Sequence, residues 1–236
     1  MPSTVVHVAL AAIVGCALLG PAFSGRSLLV VLAVTVFVDL DVLVGFAVVG
    51  AHRAAFHTLL FPAVLLVVLY YDISRRERSW LLDRFGPHAT RTGFVSVIAV
   101  TFAAIGPDLM TNGVNLFWPL HDQFYAFTGK FHLSDQQGIV QTFIEFDKGK
   151  PAESVARGST KEVQYYTGVD TDPGRTGKPV VKERIFPVVS SGMQLLIVAT
   201  GAFVSGSRLW EERRSNAATA TTATSATDRN REEDAA

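Results

Sequence analysis

The chain has 236 residues, 49% of them apolar, and its 21 basic side chains balance 21 acidic ones. Zero net charge with a positive mean hydropathy argues against a nucleic-acid partner and for a membrane protein. The lone cysteine, Cys16, rules out an intrachain disulfide and reads as a small buried side chain.

The apolar residues cluster. About 20 of them cross a bilayer core, and residues 4–19, 27–49, 54–71, 93–110 and 185–206 approach that standard. No Lys or Arg precedes the first run, which therefore reads as a helix of the mature protein, not a signal peptide. Between the third and fourth runs lie Arg75, Arg76, Arg78, Arg84 and Arg91, and just after the fifth come Arg208, Arg213 and Arg214. The positive-inside rule puts both basic segments in the cytoplasm, with the N-terminus outside and the C-terminus inside. The expected fold is an all-α integral membrane helical bundle of about five transmembrane helices, multi-pass in the cell (plasma) membrane. Residues 1–128 form its four-helix core and 129–184 a polar, partly β extracytoplasmic insert. Residues 185–210 carry the fifth transmembrane helix, and 211–236, low in complexity, form a disordered cytoplasmic tail.

The second run contains FVDLDVLVG, with Asp39 and Asp41 where lipid is the expected neighbour. Each aspartate near a helix centre opposes insertion by about 2.5–3.5 kcal/mol unless it is paired. The orientation derived from the arginines brings His7, Asp41, His57 and Asp108 to a similar depth toward the outer face. Two imidazoles and two or three carboxylates converging there make a site for a divalent ion, since Zn²⁺, Mn²⁺ and Fe²⁺ accept mixed nitrogen and oxygen ligands. On a regular helix Asp39 and Asp41 lie about 200° apart, so only one points squarely inward; Asp41 is expected to be the primary ligand. Arg53 and His57, four residues apart, share a face if the third helix starts by Arg53. His52 falls in the turn before it.

The order His7, VDLD at 38–41, HRAAFHT at 52–58 and DLMTNGVNLFWPLHD at 108–122 resembles the LexA-binding, inner membrane-associated metal-dependent hydrolase family. That resemblance implies metal ligands among His7, Asp39, Asp41, His52, His57 and Asp108, with Arg53 and Thr58 in support. Two departures stand out: Val38 replaces the family's proline, and Ala104 stands where a histidine is expected four residues before Asp108. His121 is the candidate to make up the missing nitrogen.

The function expected is hydrolysis of an ester or phosphoester, with His7, Asp41, His52, His57 and Asp108 as metal ligands. Asp39 and Arg53 take catalytic roles as proton acceptor and oxyanion partner. The substrate expected is a lipid or another amphiphile, and membrane lipid the surrounding partner. The rival expectation is a non-enzymatic protein, an ion or proton pathway or an interaction scaffold, whose carboxylates only pair with Arg53 and the histidines. No G-x-S-x-G elbow, Walker loop or zinc-cysteine set is present.

Overall fold

The computed structural model describes residues 3–141, 156–163, 165 and 185–234. It is mostly helical. Helix α1 (Thr4–Leu18) leads through a short 3₁₀ turn at Gly20–Ala22 into α2 (Gly25–Val38), whose start is capped by Ser24 Oγ accepting from Ser27 N–H. A brief α3 (Asp41–Val44) follows. Helix α4 (Leu60–Ser74) and the short α5 (Trp80–Phe85) precede a long composite helix: α6 (Ala89–Ala99), a π-helical turn (Val100–Ile105) and α7 (Gly106–Thr111). Helix α8 (Gly192–Asp234) closes the chain.

Among the described residues two helical stretches, Gly25–Val44 with 20 residues and Ala89–Thr111 with 23, are long and apolar enough to cross a bilayer; α1 and α4 are apolar but shorter. Large apolar side chains point outward from several of these helices, among them Leu29, Val67, Phe102 and Phe203, each about two-thirds exposed or more. An exposed apolar surface on that scale belongs in lipid.

Helix α1 packs against α2, α6 and α8, and α6 also holds α2 and α4. One apolar cluster joins Ala11, Cys16, Leu19, Leu28, Val31, Val95 and Ala99; a second, nearer the site, joins Val38, Val100, Ala104, Ile105, Val114 and Leu116. Small residues set the closest approach. A Cβ on Gly201 of α8 would lie 2.7 Å from the Ala9 carbonyl oxygen of α1, so the two backbones touch there.

Several boundaries differ from the sequence expectation. The second apolar run does not continue as one regular helix to residue 49. At Asp39 and Leu40 the backbone bonds shorten to i→i−3, with Asp39 N–H on Val36 O and Leu40 N–H on Phe37 O. A 3₁₀-like turn rotates about 120° per residue, which narrows the angle between Asp39 and Asp41 from about 160° to about 120° by the shorter way. The third helix starts at Leu60, not at residue 54, so Arg53 and His57 share no helix; they sit on an irregular loop over residues 45–59. The fifth apolar run becomes helical at Gly192. The tail expected to be disordered is instead the continuation of α8 to Asp234, consistent with its many alanines, which extend a helix already nucleated.

The polar insert is partly β. Strand β1 (Phe124–Tyr125) pairs antiparallel with β4 (Ala156–Gly158), and β2 (Phe131–Ser134) with β3 (Gly138–Gln141). The run GIVQTFIEF begins as β3, and its remainder lies outside the described residues. In KEVQYYTGV, Lys161 and Glu162 form a turn, and residues 164 and 166–169 lie outside the described residues.

Candidate metal centre

Four pieces of chain build the site at one end of the helices. The start of α1 supplies His7, the break between α2 and α3 supplies Asp39 and Asp41, and α7 supplies Asp108, just after the π-helical turn; wider turns of this kind recur at functional positions. The 45–59 loop adds His52, Arg53 and His57. The largely buried part of this loop, residues 51–58, must find partners for its backbone, and it finds them in Asp41 and the backbone at 115–116. Asp41 Oδ2 accepts the Arg53 N–H at 2.8 Å, while the Arg53 carbonyl accepts from Asn115 N–H at 2.9 Å. Thr58 Oγ1 donates to the Leu116 carbonyl at 2.8 Å. Arg53 itself has φ of +64°, a left-handed conformation that costs a residue with a Cβ about 1–2 kcal/mol.

Asp41 is buried and engaged by three donors. Besides Arg53 N–H, its oxygens accept from His57 Nδ1 at 2.7 Å and His52 Nδ1 at 2.8 Å. A carboxylate accepts only, so His57 carries a proton on Nδ1, and its Nε2 faces away from Asp41. His7 is arranged alike: Nδ1 faces both oxygens of Asp39 at 3.2 and 3.3 Å, leaving Nε2.

These two Nε2 atoms are buried with no hydrogen-bond partner among the described residues. Carboxylate oxygens surround them: His57 Nε2 is 3.4 Å from Asp39 Oδ1 and 3.4 Å from Asp108 Oδ2, and His7 Nε2 is 3.6 Å from Asp108 Oδ1. Bonds of about 2.0–2.1 Å to a tetrahedral ion set its ligands about 3.4 Å apart. The spacing therefore fits donors arranged around a cation better than donors hydrogen-bonded to one another. His7, Asp39 and His57 each offer a ligand atom within 4.8 Å of the others.

The expected residues thus come together, but in two layers. His7, Asp39, His57 and Asp108 face one another. Asp41, expected as the primary ligand, and His52 stand behind them, because three donors already occupy Asp41 and its bond to His52 uses His52 Nδ1. Such a carboxylate–histidine pair is the usual support of a metal-binding imidazole. Ala104 is fully buried in the apolar cluster with Val38 and Val100, and His121 is exposed, its backbone paired with Phe117. Neither joins the cluster.

Arg53 closes the site from the loop side. Its Nη2 donates to Asp108 Oδ1 at 2.9 Å, and its guanidinium carbon lies 4.6 Å from the ring centroid of Tyr165. Burial raises the Tyr165 hydroxyl above its ordinary pKa, and that hydroxyl donates to the Asn112 carbonyl at 2.6 Å. Residues 1–165 match the family described as YdjM inner membrane protein. The chain belongs to that family. No curated protein and no solved structure matches it. The YdjM match takes in every residue of the cluster and ends at Tyr165, the ring that covers Arg53.

Four residues of this YdjM site escape a reading of the sequence. Asp122 Oδ1 accepts from Asn115 Nδ2 at 2.7 Å and from Thr160 N–H at 3.0 Å, and Asp122 Oδ2 accepts from Thr160 Oγ1 at 2.8 Å. This knot ties the insert to the buried loop, and Tyr165 reaches Arg53 from the same segment. Thr160 carries no motif, and Asn115 and Asp122 lie in an aromatic-rich stretch that resembles an interfacial belt. Only Gly50, where a Cβ would meet the Thr160 carbonyl at 2.2 Å and φ is +69°, marks the approach.

Proposed function

We propose that this inner membrane protein is a metal-dependent hydrolase acting on an ester or phosphoester of a lipid-like substrate. The observation that carries this reading is the pair of buried imidazole nitrogens, unpartnered among the described residues: His57 Nε2 lies 3.4 Å from an oxygen of Asp39 and 3.4 Å from one of Asp108, and His7 Nε2 3.6 Å from the other Asp108 oxygen, close to the edge of a tetrahedral ligand set. His7, Asp39, His57 and Asp108 would hold a divalent ion such as Zn²⁺, Mn²⁺ or Fe²⁺, with His52 and Asp41 behind them. An ion there supplies Lewis-acid polarisation and acidifies water.

The chain's own groups have separable tasks. Asp41 fixes the tautomer and orientation of His57. Asp39, at 16% side-chain exposure the most open of the three carboxylates, is placed to take a proton from attacking water. Arg53 balances Asp108 and stands ready for oxyanion charge. The proposed setting is a multi-pass bundle of about five transmembrane helices with the N-terminus and the site toward the outside and the arginine-rich loop and C-terminus in the cytoplasm. There a substrate reaches the site from lipid.

A proton or ion pathway fits less well. The buried hydroxyls of Thr35, Thr92 and Ser96 bond to carbonyls of their own helices, so among the described residues they do not continue the cluster across the bundle as a relay. Metal analysis tests the proposal: purified full-length protein exposed to Zn²⁺ or Mn²⁺ should retain about one ion per chain, and His57→Ala should abolish retention. Protein that keeps no ion would leave a structural His/Asp/Arg network in its place.

A further inference from the structure

Arg53 is a buried cation with most of its hydrogen-bonding capacity unspent. Its side chain is 2% exposed, Nη2 is held by Asp108, and Nε and Nη1 are buried with no hydrogen-bond partner among the described residues. Burying an unsatisfied donor costs about 1–3 kcal/mol, more on a charged group, and the left-handed backbone at Arg53 adds strain. Backbone bonds to Asp41 and Asn115 keep Arg53 at the edge of the proposed metal position, and the Tyr165 ring covers one face of its guanidinium. If Arg53 served only to neutralise Asp108, a lysine-like point contact would suffice. Nε and Nη1 flank the Nη2 that Asp108 holds, so an oxyanion lying alongside that carboxylate finds unpaired N–H groups on the same guanidinium.

We infer that Arg53 is the anion-binding residue of the site and that the group it takes is a phosphodiester. This rests on the proposed metal centre and narrows it. A carboxylic ester brings no formal charge to meet the unpaired guanidinium donors, whereas a phosphodiester brings a non-bridging oxygen pair that suits them. Charge selects the diester over a monoester. Asp39, Asp41 and Asp108 carry three negative charges against the single positive charge of Arg53; a divalent ion brings the sum to zero. A monoanionic diester then adds less uncompensated charge to a buried site than a dianionic monoester does. A lipid headgroup and a water-soluble molecule can each supply the phosphodiester, and the recognition chemistry is shared.

The test uses full-length protein in neutral detergent, loaded with Mn²⁺, with metal content measured on the same sample. Paramagnetic broadening of the ³¹P signal is titrated with dimethyl phosphate and, separately, with a short-chain phosphatidylglycerol. Saturable broadening in the wild type, weakened about tenfold or more in Arg53→Lys while metal content is retained, is the expected result; a gain of that order corresponds to one charge-assisted hydrogen bond. Tighter binding of the lipid assigns the headgroup, and equal binding a soluble diester. If the wild type holds Mn²⁺ but broadens neither ligand, or Arg53→Lys binds both as well as wild type, the phosphodiester inference fails while the metal centre stands. If the wild type holds no Mn²⁺, the metal centre itself fails, and this inference with it. Should Arg53→Lys not fold, Arg53→Gln takes its place in the same titration, with the same weakening expected and unchanged binding again overturning the inference.

Discussion

Asp41 holds His57 in place: Nδ1 of His57 donates to Asp41 Oδ2 at 2.7 Å, and Nε2 is thereby turned toward Asp39 and Asp108. Substituting the two residues should have different effects. Asp41→Asn keeps the shape but weakens the acceptor and removes a charge, and metal affinity should fall about 10–100-fold, as for other supporting carboxylates. His57→Gln should remove binding altogether. Isothermal titration with Zn²⁺ separates the two; equal and complete loss would place Asp41 among the ligands after all.

The distinction between those layers was not legible in the sequence, and the reason is local. His7, Asp39, Asp41, His52, Arg53, His57 and Asp108 stand out as polar groups in apolar runs, and their order along the chain suffices to suggest a cluster. Ideal helix geometry then separates Asp39 from Asp41, and only the 3₁₀-like tightening at Asp39 and Leu40 brings both to bear. The same limit applies to residues 45–59, whose hydropathy permits a helix. Their actual course depends on Asp41, Asn115 and Leu116 supplying backbone partners from elsewhere in the chain. Helix existence follows from composition, but this loop depends on contacts that composition does not encode.

Asp39 and Asp108 should contribute unequally to metal binding. Asp108 also carries the Arg53 ion pair, so Asp108→Asn both weakens a ligand and leaves a buried guanidinium without its anion, a change that costs about 3–5 kcal/mol in comparable buried pairs. Asp39→Asn leaves Arg53 paired. Both variants should lose metal affinity, yet only Asp108→Asn should also unfold markedly earlier in thermal melts of metal-free protein. Matching melts would mean that Arg53 gains little from Asp108.

The left-handed backbone at Arg53 gives a second stability test. Arg53→Ala and Arg53→Gly both delete the ion pair, but glycine adopts φ of +64° without the Cβ penalty. The glycine variant should be the more stable by about 1 kcal/mol, less whatever its greater unfolded-state freedom offsets. Chemical denaturation of the two in the same detergent measures the difference. An alanine variant as stable as the glycine one would show that the loop relaxes out of the left-handed conformation once the guanidinium is gone.

Asp122 should act on the insert and leave the metal alone. Replacing it by alanine removes the acceptor for Asn115 Nδ2 and for both donors of Thr160, so the segment carrying Tyr165 should detach from the loop. Limited proteolysis should cut faster near residue 160 in Asp122→Ala, while Zn²⁺ affinity stays within about twofold of wild type, since the substitution lies outside the ligand set. A large fall in affinity would instead show that the insert, through Tyr165 and Arg53, determines how the ligands are arranged.

Gly201 tests the packing of α8 on the helix that carries His7. A side chain there meets the Ala9 backbone, with the carbonyl oxygen at 2.7 Å and Cα at 2.9 Å from the added Cβ, and backbone cannot step aside as a flexible side chain can. Gly201→Leu should therefore force α8 away from α1 and cost about 1–3 kcal/mol by overpacking, read as an earlier thermal transition. Because α1 also packs on α2 and α6, His7 should keep its place and metal affinity should change little. If the variant instead loses metal as His57→Gln is expected to, α8 must be what holds α1 in register at the site.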